Sequence, residues 1–245
     1  MNELYQNGLI HNDIKTINEN EFKDYTKRAE EKNGVIIYKN SSKTPLNKNI
    51  LRTVKKPFSS QGGIKLISGN IGKGIVKISS VLVKHQKICE QAEVFENPEE
   101  FNDAFKKGTL NKDCVVVIRN QGPQSNGMPE LHSLNPILSV IQSLGYKIAL
   151  ITDGRMSGAS GSVLTIVHIS PETTQGGVIS KIQNSDIIEI DAQKGIMNVK
   201  VNNDILNKRQ AFISDTEDTS GYGRELFKLN RSQVSSSETG AISIS

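Results

Sequence analysis

"YKIALITDGRMSGASGSVLTIVHI", residues 146–169, sets two apolar runs on either side of a polar, glycine-rich knot. Runs of this length, rich in β-branched residues and bounded by turn formers, read as buried strands. The knot is then a connection held rigidly between two core elements, a common place for functional side chains. Within it Asp153, Arg155 and Ser157 alternate with Gly154 and Met156, which in an extended backbone predicts all three polar groups on one face. Gly158, Ala159 and Gly161 are small enough to let a ligand or another backbone approach, and such a turn can present backbone N–H groups to an anion. A serine hydroxyl is a weak base that needs nearby positive charge, and Arg155 is the candidate source. The plainer alternative is a glycine-rich turn with a hydrogen-bonded Asp153.

Outward from the knot, "CVVVIRN" (114–120) is a second buried-strand candidate, and "IKLISGNIGKGIVKIS" (64–79) reads as two short strands around a Gly/Asn turn. "DIIEIDAQKGIMNVKV" (186–201) gives two more strands around a Lys-Gly turn. Asn97, Pro98, early acids, late lysines and Gly108 mark a helix with every end signal in place. "MPELHSLNPILSVIQSLG" (128–145) is largely helical with a break or restart at Pro136, and "GYGRELFKLNR" (221–231) closes with a short helix. The expected fold class is α+β: a strand-rich, barrel-like sheet with peripheral helices, favoured over a doubly wound parallel sheet. Residues 1–61 are polar and read as a helical lead-in and linker, and residues 62–245 as the barrel-like domain.

The chain has 245 residues with 30 basic and 26 acidic side chains, a net charge of +4. The charges are scattered, so no nucleic-acid footprint is expected. No apolar run approaches the roughly 20 residues of a spanning helix, and the N-terminus lacks the order of a secretory signal, so a cytoplasmic location and no membrane are expected. Cys89 and Cys114 have no partners at metal-ligand spacing.

A second unusual stretch, "RNQGPQSNGMPELH" (119–132), also follows a strand and holds Arg119, Asn126, Glu130 and His132 among turn formers. Glu130 has the hard oxygen chemistry suited to Mg²⁺, or is simply a helix N-terminal acid. Arg119, Arg155 and Arg224 are candidates to hold a phosphate, because guanidinium forks match its oxygens. With Asp153 they make up the expected substrate-binding set. His168, among apolar neighbours, reads as a core histidine.

These motifs together carry a resemblance. "ITDGRMSGASG", "HISPE" and "DIIEIDA", with "GGIKLISGNIG", "QGPQSNGMPELH", "GYGRELF" and "VSSSETGA", resemble in order the C-terminal half of the dihydroxy-acid and 6-phosphogluconate dehydratase family, from Gly62 to Ala241. The "NGMPELH" and "GRMSGASG" forms are similar to the 6-phosphogluconate branch. The resemblance implies a swivelling barrel-like fold and a dehydration of 6-phospho-D-gluconate in the Entner–Doudoroff pathway. It makes Ser157 the general base and Glu130 a Mg²⁺ ligand. It also implies an iron-sulfur cluster whose ligands are absent from this chain, so that a separate N-terminal half is expected as partner, with the complete enzyme a homodimer. The alternatives are an inactive fragment, a non-catalytic interaction domain, or a dehydratase of another sugar acid or dihydroxy acid.

Overall fold

The computed structural model describes residues 1–17, 22–42, 44–157, 161–212 and 222–243. The chain divides into two compact units, Met1–Gly62 and Gly63–Ser245.

In the first unit, helix α1 (Asn2–Gln6) is followed by the hairpin β1 (Lys27–Lys32) and β2 (Val35–Asn40), paired antiparallel. A hairpin therefore stands where the polar composition suggested a helical lead-in. The reason is local: Asn33 and Gly34 take φ of 54° and 77°, the left-handed pair that a two-residue hairpin turn requires. Tyr5, Phe22 and Tyr25 stack beside α1 with centroids 6.3 and 5.7 Å apart. Many apolar side chains of this unit stay exposed, among them Leu46 at 85% and Ile50 at 78%.

The second unit contains strands β3 (Ile64–Gly69), β4 (Gly72–Lys77), β5 (Lys87–Phe95), β6 (Cys114–Ile118), β7 (Ile148–Thr152), β8 (Leu164–Ser170), β9 (Ile187–Asp191) and β10 (Ile196–Val199). They close a barrel in the order β10-β3-β4-β8-β7-β6-β5-β9, the expected α+β, barrel-like architecture. One part is more regular than the sequence suggested. β5, β6, β7 and β8 run parallel to one another, with antiparallel β9 and β4 on their outer sides, and α2 (Pro98–Lys106) lies between β5 and β6, with α3 (Pro123–Asn126) and α4 (Asn135–Ser143) between β6 and β7. Parallel neighbours need such crossovers.

That arrangement explains the apolar runs. Val115 and Val117 of β6 face the barrel interior with Ala149, Ile151, Leu164 and Ile166. Cys114, Val116 and Ile118 face the other way, packing with Phe101 of α2 and Leu138 and Ile141 of α4. Strands buried on both faces lose the alternation of half-buried ones. Burying each such aliphatic side chain contributes about 1.5–3 kcal/mol. Asn97 caps α2, accepting from the Glu100 N–H at 2.9 Å, and Pro136 sits in the first turn of α4, where its missing N–H costs nothing. Short helices α5 (Asn203–Lys208), α6 (Tyr222–Leu226) and α7 (Lys228–Gln233) follow the barrel. No helix among the described residues is long and apolar enough to cross a membrane.

The barrel closes where β10 meets β3 through a single parallel partner pair, Ile196 and Ser68. Asn70 supports this seam by bonding both the N–H and the carbonyl of Val199 at 2.8 Å. Gly69 lies so close to the Met197 carbonyl that a Cβ would fall 1.8 Å from its oxygen. We expect Gly69→Ala to lower the stability of the chain by about 1–3 kcal/mol, measured by urea denaturation; an unchanged midpoint would show that the seam tolerates displacement.

Candidate functional site

Because β5 to β8 are parallel, their C-terminal ends, and the segments that follow, emerge at one end of the barrel. The segment after β6 (119–132), the knot after β7 and the turn after β8 (171–175) meet there. Two buried carboxylates tie them together. Asp153, fully buried, accepts from the backbone N–H groups of Gln121 at 2.9 Å, Asn120 at 3.3 Å and Thr173 at 2.9 Å. Glu172, 2% exposed, accepts from the N–H groups of Gln124 and Ser125 and from the Ser125 hydroxyl at 3.0 Å. Gly122 is required beneath it, since a Cβ there would lie 2.1 Å from a Glu172 oxygen. Burial pushes the Asp153 carboxyl up, and the hydrogen bonds from Thr173, Gln121 and Asn120 pull it back down.

Asp153 is therefore part of the scaffold, which corrects the expectation that it shares one face with Arg155 and Ser157. The alternation holds from Arg155 onward: Arg155 and Ser157 are exposed and Met156 is buried. Gly158 and Ala159 lie outside the described residues.

The exposed part of the knot is latched to Glu130. Glu130 and Arg155 form an isolated parallel bridge, with the Leu131 N–H donating to the Arg155 carbonyl at 3.2 Å. The Glu130 carboxylate accepts from the Ser157 N–H at 2.8 Å and the His132 N–H at 2.9 Å, and it pairs with Arg155 Nη1 at 3.1 Å. Arg155 Nε donates to the Met128 carbonyl at 2.9 Å, and His132 Nδ1 lies 3.0 Å from the Ser157 carbonyl oxygen. Ser157 is thus held through its backbone on both sides, with an exposed side chain. His168, half-buried with φ of 58°, has its pKa lowered by burial and then by the charge of Arg155.

The arginines separate. Arg119, expected among the substrate-binding residues, has its guanidinium engaged within the chain. It forks onto Glu96 at 2.5 and 2.9 Å, donates to the carbonyls of Ser180 and Ile182, and lies over the Phe212 ring. Arg224 instead reaches the 119–132 segment, donating to Asn126 Oδ1 at 2.8 Å. With Arg155 it lines a pocket of about 700 Å³ bounded by α3, Met128, α7 and Ala241.

Two residues of this end escaped sequence reasoning. Arg231 also lines the pocket; its spacing of seven from Arg224 was the available signal. Asn120 takes φ of 65° and carries a buried Oδ1 with no hydrogen-bond partner, a strained strand-end position of the kind found at functional sites. Its signal was its place directly after a buried strand.

The cysteines do not fit an iron-sulfur cluster, which takes about four cysteine thiolates. The chain has two cysteines; Cys89 is exposed, and Cys114 is buried with its thiol pushed up to about 12, chiefly by desolvation. No group of three or more potential metal ligands occurs among the described residues.

A closed mixed barrel whose parallel strand ends carry a serine-bearing, glycine-rich knot defines the class, and residues 49–241 match the dihydroxy-acid/6-phosphogluconate dehydratase C-terminal domain. The chain belongs to this family. It is 39% identical over 98% of its length to the phosphogluconate dehydratase of Pseudomonas aeruginosa and 41% identical over 99% to that of Escherichia coli. It is 36% identical over 86% to a dihydroxy-acid dehydratase of Caldanaerobacter subterraneus. It spans about 40% of the length of the first two relatives and 36% of the third.

Removing Asp153 leaves three backbone N–H groups without their acceptor, at about 1–3 kcal/mol for each buried orphan. We expect Asp153→Ala to destabilise the chain by at least about 3 kcal/mol in urea unfolding. Arg155→Ala, which breaks an ion pair with side chains 46% and 36% exposed, should cost no more than about 1 kcal/mol. Equal costs would refute this division between scaffold and site.

Proposed function

We propose that the chain is the C-terminal portion of a 6-phosphogluconate dehydratase and acts with a cluster-bearing N-terminal half, as a cytoplasmic enzyme of carbohydrate metabolism. The reaction removes a C2 proton and the C3 hydroxyl of 6-phospho-D-gluconate as water, and the resulting enol becomes 2-dehydro-3-deoxy-6-phosphogluconate. The observation that carries this reading is the latch of Ser157 and Arg155 to Glu130 at the strand ends. It holds the Ser157 backbone and the Arg155 guanidinium on one carboxylate. Two relatives named phosphogluconate dehydratase, alike over nearly the whole chain, support the substrate, against a shorter and weaker match to the dihydroxy-acid enzyme.

In this reading Ser157 accepts the proton from the carbon beside the carboxylate. A serine hydroxyl does so only in a positive field, and Arg155 supplies part of it. Glu130 fits a Mg²⁺ ion as one oxygen ligand, since this metal is commonly held by one or two carboxylates together with substrate oxygens. The ion would neutralise charge developing on those oxygens. The two cysteines of this chain do not fit an iron-sulfur cluster. The exposed apolar side chains of Met1–Gly62, including Leu46 and Ile50, support docking of further protein, because exposed apolar surface of this kind marks interaction sites.

The test is a coupled keto-acid assay on 6-phosphogluconate. We expect no turnover by this chain alone and turnover when the N-terminal 60% or so of the Escherichia coli relative is added, the part this chain does not match. Ser157→Ala should then reduce the rate by about 10²–10⁴-fold without changing the melting temperature. Turnover by the chain alone, or full activity of the mutant, contradicts the proposal.

A further inference from the structure

The pocket beside the knot holds three arginines and, among the described residues, no carboxylate: Arg155, Arg224 and Arg231, with Asn126, Asn230, Phe227 and others. Its volume of about 700 Å³ lies in the range of small-molecule sites. Arg224 and Arg231 form no ion pair among the described residues. They are held instead by neutral acceptors. Arg224 donates to Asn126 Oδ1 at 2.8 Å and to the Ser125 carbonyl at 3.4 Å, and Arg231 donates to the Arg224 carbonyl at 2.6 Å. These contacts fix the guanidinium groups in place without cancelling their charge.

The cost of that arrangement is visible in two ways. Arg224 Nε is buried and has no hydrogen-bond partner, although an orphaned buried donor is expensive. Arg224 also has its pKa lowered, first by burial and then by the charge of Arg231. Two like charges brought together beside an unfilled donor form a site that a multiply charged anion would relieve. Arg119 and Arg209 differ sharply, each forked onto its own carboxylate, Glu96 and Asp186.

We propose that Arg224, Arg231 and Arg155 form the subsite for the phosphate monoester of the substrate, with Arg224 and Arg231 as its specificity-determining residues. Planar forks suit phosphate oxygens. Arg155 links the subsite to the catalytic end, since it lies two residues from Ser157 and turns its Nη1 toward Glu130. The inference deepens the proposed dehydration and rests on it for the identity of the phosphate-bearing molecule.

The test is calorimetric binding to the full chain of 6-phosphogluconate, gluconate and inorganic phosphate. We expect 6-phosphogluconate to bind about 10- to 100-fold more tightly than gluconate, the worth of one charge-assisted contact, and inorganic phosphate to compete. Arg231→Gln should abolish that preference. So should Asn230→Asp, which is isosteric and places a negative charge in the pocket, so a loss of binding there is not a loss of fold. Absence of 6-phosphogluconate binding by the unmodified chain, equal affinity for gluconate, or wild-type preference in both variants overturns the proposal. Phosphate-selective binding without keto-acid release by the reconstituted enzyme would instead overturn the proposed reaction and leave the subsite standing.

Discussion

The functional end of the barrel depends on two buried carboxylates that take backbone N–H groups. Asp153 at the end of β7 and Glu172 just after β8 reach sideways into the segment that follows β6. In that segment the N–H groups of Asn120 and Gln121 and those of the first turn of α3 have no ladder or intrahelical partner, and unpaired buried N–H groups are costly. The carboxylates satisfy them, and the N–H groups in turn compensate the buried charge. The exchange is available only because β6, β7 and β8 are adjacent and parallel, so that their C-terminal ends lie side by side.

Everything exposed is built on that tie. Once Gln121 and Thr173 are fixed to Asp153, the knot leaves β7 along a set course, and Gly154 must pass Gln121, whose side chain a Cβ would approach to 2.7 Å. Arg155 then meets Glu130 as an isolated bridge, and the Glu130 carboxylate fixes the next turn of the knot through the Ser157 N–H. The tie and the latch differ in kind. The first is buried, whereas the second is exposed and centres on the Glu130 side chain, whose ion pair with Arg155 is weak for that reason.

This difference also marks what the sequence could reveal. The apolar runs at Cys114–Ile118 and Ile148–Thr152, the capped helix after Asn97 and the turns around Asn70 and Gly195 are local signals, and the barrel strands and α2 follow them closely. The parallel pairing of β5 to β8 was harder to read, because β6, β7 and β8 are buried on nearly every residue and carry no alternation to orient them, and the more exposed β5 was not expected as a strand. The hairpin at Asn33-Gly34 was legible in its turn residues but was obscured by the polar composition around it. In the site, Glu130 meets the Arg155 side chain and the Ser157 backbone, a contact that no local pattern announced. Asp153 does not join them, because a single aspartate in a glycine-rich knot looks the same whether it faces solvent or three backbone N–H groups.

The arginines carry this lesson furthest. Arg119, Arg155, Arg224 and Arg231 are equivalent by residue type, and what separates them is the acceptor each one meets. A guanidinium forked onto a carboxylate, as Arg119 is on Glu96, has its field largely cancelled and serves as a cross-link. One held by carbonyl and amide oxygens, as Arg224 and Arg231 are, keeps its field and can act on something else. Arg155 stands between, shared with Glu130 on one side and open to the pocket on the other. For Arg119 and Arg224 that partnership is set by tertiary contacts between residues 23 to 99 positions apart. Among the described residues, Arg224 and Arg231, which meet no carboxylate, therefore line one pocket together with Arg155, while the cross-linking Arg119 and Arg209 are each matched by a carboxylate. That asymmetry arises from where the carboxylates lie rather than from the modest net charge of the whole chain.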